Sequence, residues 1–163
     1  MDSQAQQNNA PALKPLYMEA VALVERLHHR FLDVVKDEFA HCGRSDVNSV
    51  QALLLFNIDD AELTAAELRS RGYYPGSNVS YNLRKLAEMD YIHHQRSRMD
   101  RRSVRVSLTA RGREIAAMVG ALYERHLGAI EQVGGIAMDD CERLNHALNR
   151  LDRFWTDQML YRL

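Results

Sequence analysis

Two short clusters hold the side chains best suited to recognition chemistry in this 163-residue chain. The first is Ser77, Asn78, Ser80, Tyr81, Arg84 and Lys85. At helical spacing Val79, Leu83 and Leu86 share one face, and Ser77, Tyr81, Arg84, Lys85 and Glu88 fall roughly opposite, with Asn78 and Ser80 on the flanks. Hydroxyl, amide, phenol and guanidinium groups are the donors and acceptors that base edges and phosphates take up. Arg84 has the fork for bidentate pairing with guanine. Lys85 suits a phosphate, a contact that positions without specifying. The second cluster is Arg98, Asp100, Arg101, Arg102 and Arg105. An arginine of this cluster fits a narrow minor groove, where negative potential concentrates. Asp100 is placed to hold the Arg102 guanidinium, and Arg98, Arg101 and Arg105 suit phosphates.

Other chemistries find less support. There is no Gly-rich phosphate loop, metal motif or nucleophile–base arrangement, so no catalytic residue, metal or cofactor is expected. His28, His29, His41, His93 and His94 do not make the set of three or four converging ligands that a metal site needs and read as surface histidines. Cys42 and Cys141 form no Cys-x-x-Cys and read as reduced thiols of a cytoplasmic protein. Cys42 is expected to be buried or half-buried and structural, in preference to an oxidant sensor.

The net charge of −1 conceals a division. Residues 64–108 carry nine basic and four acidic side chains, a net +5 against −6 for the remainder. A basic middle in an acidic frame points to a local anionic partner. No run of about 18 apolar residues occurs, so no membrane span is expected. The N-terminal residues lack a basic stretch followed by an apolar one, unlike a secretory signal.

The elements that must position these residues follow from periodicity. Residues 1–14 read as a disordered tail. Pro15 suits the first turn of a helix, 15 to about 40, with Ala20, Leu23, Val24, Leu27, Phe31, Val34 and Val35 as its stripe. Ser45 or Asp46 is expected to cap a helix to about residue 57. Residues 61–63 suit a very short strand. Thr64 and Glu67 make a capping box for a helix closing near Gly72, and a turn leads to a helix from Ser77 to residues 89–90. Residues 91–97 and 103–108 read as strands, the second with Val104, Val106 and Leu108 inward. Thr109 caps a long helix broken at Gly134-Gly135, and Asp139 with Glu142 caps a last helix.

Helix, turn, helix, strand, charged hairpin, strand is the plan of a winged helix-turn-helix. The fold expected is mainly α with a small β wing: a DNA-binding domain at 45–109, and long dimerisation helices at 15–44 and 110–163. The stretches Leu63-Thr64-Ala65-Ala66-Glu67-Leu68, Gly76 to Leu86, and Asp100-Arg101-Arg102 leading into Leu108-Thr109-Ala110-Arg111-Gly112 resemble the multiple-antibiotic-resistance regulator (MarR) family. About 50 residues carry the motif, and the flanking helices extend the match over nearly the whole chain. The turn Gly72-Tyr73-Tyr74-Pro75-Gly76 departs from the family's usual leucine, glycine and apolar residue without changing length.

The resemblance implies a homodimer on a pseudo-palindromic duplex, acting as repressor or activator. It also implies a small aromatic or carboxylate effector in a cleft between dimer helices and DNA-binding lobe, for which the candidates are Cys42, Ser45, Asn48, Ser49 and Tyr73. Some members sense oxidants through a cysteine much nearer the N-terminus, where this chain has none. The alternatives are a ligand-independent or cysteine-controlled regulator, a winged helix that binds only protein, and a small enzyme.

Overall fold

The computed structural model describes residues 10–72, 76–96 and 104–161. They form α1 (Ala10–His41), α2 (Ser49–Ile58), β1 (Leu63–Thr64), α3 (Ala65–Gly72), α4 (Gly76–Glu88), β2 (Ile92–Arg96), β3 (Val104–Leu108), α5 (Ala110–Ile130) and α6 (Met138–Tyr161). This is the mainly helical winged-helix fold with a three-stranded antiparallel sheet. The chain divides into two compact units, residues 1–120 and 121–163.

In the first unit α1 starts earlier than its sequence suggests. Ala10 to Lys14, expected in the tail, are helical, and Pro15 lies inside the helix instead of in its first turn. Proline's fixed φ suits a helix, and the cost is the N–H it lacks, so one hydrogen bond to the preceding turn is not made. The other end closes where expected. Gly43 takes φ 68°, its N–H donates to Ala40 O at 3.0 Å, and the Arg44 N–H donates to Phe39 O at 2.8 Å. That paired closure needs a left-handed residue, which glycine supplies without strain.

The cap of α2 is Asn48, not Ser45 or Asp46. Asn48 Oδ1 accepts from the Gln51 N–H at 2.9 Å, and Gln51 Oε1 accepts from the Asn48 N–H at 3.1 Å. Several cap-type residues stand in a row here, and only the one three residues before a glutamine makes the reciprocal box. The α2 helix is apolar nearly all round, and Ala52, Leu54, Leu55 and Ile58 have no solvent exposure. They form the core with Leu68, Ile115 and Val119, likewise fully buried.

The sheet order is β1-β3-β2. Leu63 pairs with Val106, and Ile92 with Leu108; all four are buried. The alternation read for β3 holds at buried Val106 and Leu108 and exposed Arg105, whereas Val104, expected inward, is only half-buried, as is Ser107.

The Leu-Thr-x-x-Gly run after β3 has a physical reason. Thr109 Oγ1 donates to Asp90 O at 2.8 Å and accepts from the Gly112 N–H at 3.1 Å. A Cβ on Gly112 would stand 2.1 Å from Tyr91 O, so only glycine lets α5 approach the strand entry this closely.

The second unit holds the end of α5 and all of α6. The cap of α6 differs from expectation, because Asp140 Oδ2, not Asp139 or Glu142, accepts from the Ala137 N–H at 3.1 Å. No residue of α6 is buried, although Leu144, Leu148, Phe154, Met159 and Leu160 lie along it. Among the described residues no helix is long and apolar enough to cross a membrane.

Candidate nucleic-acid interface

α3 and α4 are the paired helices. The Thr64 N–H donates to Glu67 Oε2 at 2.7 Å and the Glu67 N–H donates to Thr64 Oγ1 at 3.1 Å, the box expected at the start of α3. Hydrogen bonds from the Thr64 backbone and, less strongly, from its side chain hold the Glu67 carboxyl below its ordinary 4.5.

α4 presents two opposed faces. Val79, Leu83 and Leu86 are buried, at 0%, 2% and 0% exposure, while Tyr81 on the other side is 52% exposed. Each buried aliphatic side chain contributes about 1.5–3 kcal/mol to holding the helix down. Asn82 is also buried, and its Nδ2 donates to Asn78 O at 2.9 Å, so its amide is occupied within the helix.

Asn78, Ser80, Tyr81 and Arg84 are exposed together on the outward side. The Ser77 side chain lies outside the described ones. Arg84 Cζ stands 5.9 Å from the Tyr81 ring centroid, within reach of a weak cation–π contact. Lys85 is half-exposed, and its Nζ donates to Glu88 Oε2 at 3.0 Å. That hydrogen bond holds the ammonium above its ordinary pKa, so Lys85 stays charged.

Of the second cluster only Arg105 is described. It is exposed on β3, with Nη1 3.7 Å from Glu62 Oε2. Arg98, Asp100, Arg101 and Arg102 lie outside the described residues, as does Tyr73.

The candidate effector residues separate. Ser45, Asn48 and Ser49 line a cavity of about 300 Å³ with Val35, Lys36, Phe39 and Arg44. Ser49 Oγ donates to Leu32 O at 2.8 Å, tying α2 to α1. Within the described residues Arg44 Nε is buried without a hydrogen-bond partner, 3.6 Å from Asp46 Oδ1. Cys42 corrects the expectation of burial. It is exposed, beside Glu38 at 3.9 Å, and does not line that cavity, because it follows the last turn of a helix whose buried face ends at Phe39.

Sequence reading missed the cluster at the end of α4. Tyr91 is fully buried, its hydroxyl donates to Asp46 Oδ2, and the Arg111 guanidinium lies 4.6 Å from its ring. The three positions are 45 and 20 residues apart in the chain, and no local pattern links them.

A buried-backed polar helix beside an antiparallel hairpin defines a winged helix-turn-helix protein. Residues 47–112 match the model of a winged helix DNA-binding domain. The chain is 35% identical over 148 residues, 89% of its own length and 74% of the relative's, to the exopolysaccharide II synthesis transcriptional activator ExpG of Rhizobium meliloti (strain 1021). Two solved structures share the fold. Streptococcus pneumoniae FabT in complex with DNA superposes with TM-score 0.63 at 21% identity, covering 86% of this chain and 98% of FabT. AbsC, a MarR family transcriptional regulator from Streptomyces coelicolor, superposes at 0.67 and 15% identity, covering 86% and 95%. The chain belongs to the MarR family of winged-helix, DNA-binding transcriptional regulators. Family and fold are those of regulators, not enzymes.

Proposed function

We propose that this chain acts as a homodimer that reads a pseudo-palindromic duplex, α4 entering the major groove and the wing arginines the flanking backbone and minor groove. The observation that carries this reading is the exposed set Asn78, Ser80, Tyr81 and Arg84, backed by fully or almost fully buried Val79, Leu83 and Leu86. Arg84 is the base-reading guanidinium. Arg98, Arg101 and Arg105 serve phosphates, and Asp100 orients Arg102. Pairing of two chains would cover the apolar side chains of α6, together with exposed Leu13, Leu16, Leu23 and Leu27 on α1. Sequencing the fragments this protein retains from a pool of random duplexes tests the reading. An inverted repeat with half-sites about one helical turn apart supports it. Retention without enrichment of any sequence overturns it.

A small carboxylate or aromatic effector is a second reading. The about 300 Å³ cavity favours it, having apolar walls and two cations, Lys36 and Arg44, one with a buried nitrogen lacking a hydrogen-bond partner among the described residues. Such a ligand would bias the DNA-binding geometry only by its differential affinity for two arrangements. Benzoate and salicylate at millimolar concentration should raise the melting temperature and change affinity for the selected duplex. No effect on either means control without this ligand class. A promoter–reporter pair separates activation from repression.

A further inference from the structure

We infer that Asp46, Tyr91 and Arg111 form a positioning lock that fixes the C-terminal end of α4, and through it the register of the DNA-reading side chains. The apolar contacts of Val79, Leu83 and Leu86 hold one face of α4 inward but leave sliding and tilt weakly determined, since burial is non-directional. The directional contacts lie at its exit. The Asp90 N–H donates to Ala87 O at 3.1 Å and the Tyr91 N–H to Leu86 O at 2.9 Å, closing the helix with Asp90 at φ 62°. Arg111 Nη1 then donates to Met89 O at 2.9 Å, and Nη2 to Tyr91 Oη at 3.2 Å. A cation at open carbonyls of a helix C-terminus is also favoured by the helix dipole.

Tyr91 carries the lock onward. Its ring is fully buried, and its hydroxyl donates to Asp46 on the α1–α2 connection. Arg44 stands 3.6 Å from the other Asp46 oxygen and 3.8 Å from Glu114 on α5. One phenol thus joins the exit of α4 to the α1–α2 connection and, through Arg111, to α5. The ion-pair distances of 3.6 and 3.9 Å join half-exposed groups and add little on their own. The buried hydroxyl and the Met89 carbonyl bond set the geometry. Recognition contacts must be held within about 0.5 Å to discriminate, so a loosened exit should lose specificity before it loses charge-driven affinity.

The test uses Tyr91→Phe, which keeps the buried ring, and Arg111→Met, which keeps the stem without donors. Amide exchange in the free full-length chain is read at residues 87–92 against α2. Affinity is read on the selected duplex against a scrambled one of equal length. Each variant should speed exchange at 87–92 about tenfold with α2 unchanged, the effect of one hydrogen bond to a charged group. Each should cut the selected-to-scrambled affinity ratio by about the same factor. The double variant should be scarcely worse than the worse single, because both break one unit. Arg111→Lys should restore part of the ratio. Unchanged local exchange, or an unchanged ratio with only a lower melting temperature, overturns the proposal. So does a loss on both duplexes with a shallower salt slope for Arg111→Met alone, which would make Arg111 a phosphate contact. The exchange readout needs no DNA, so the lock is decided even where the duplex-reading proposal fails.

Discussion

At the residue scale, the decisive distinction is between groups that touch a base edge and groups that touch phosphate. Arg84 and Lys85 are adjacent cations with different surroundings. Arg84 is exposed near Tyr81, whereas the Lys85 ammonium is held by Glu88 at 3.0 Å. A guanidinium fork matches guanine O6 and N7, and a point charge does not. Arg84→Ala should therefore cost about 1–3 kcal/mol on the selected duplex and relax preference at one base pair of each half-site. Binding to every single-base variant of that duplex checks this. Equal loss across all variants would reassign Arg84 to the backbone.

At the element scale, two contacts make testable claims about what holds the paired helices and the wing base. The Glu67 carboxylate caps α3, and the Thr64 hydrogen bonds depress its pKa. A depressed folded value means stability that is present above the ordinary 4.5 and lost as pH falls through the folded value. Glu67→Gln keeps an acceptor but cannot titrate, so melting temperature should fall less steeply with acid than in the parent chain. An identical acid limb would remove Glu67 from the account. Gly112→Ala drives a methyl into Tyr91 O and should cost about 1–3 kcal/mol, or more, in urea unfolding. A neutral outcome would mean that α5 and the strand entry can separate freely.

These elements also show what could be read from the chain beforehand. The two faces of α4 were legible because Val79, Leu83 and Leu86 recur at three- and four-residue steps. The α3 cap was legible because a threonine and a glutamate stand three apart. The α2 cap was not, since Ser45, Asp46, Asn48 and Ser49 compete within five positions and tertiary contacts decide among them. Asp46 is instead drawn to Tyr91 and Arg111, partners that no local period reveals. The start of α1 is not legible, because a proline suits a first turn and is also tolerated further inside a helix.

At the scale of the whole molecule, the proposed reading of an inverted repeat needs two chains on one duplex. The α6 helix has no buried residue, and Leu148 is 38% exposed along its apolar side. If that side pairs with a second copy, Leu148→Glu should shift the mass in light scattering toward one chain and weaken binding to the full inverted repeat far more than to a half-site. A parent chain of monomer mass at micromolar concentration would contradict the pairing.

In the proposed complex the outward side of α4 meets base edges in the major groove. Dimethyl sulfate protection on the selected duplex reports this directly, because it reads guanine N7. Protected guanines are expected in two segments about one helical turn apart on one face of the DNA. Guanines that stay fully reactive under saturating protein would contradict it.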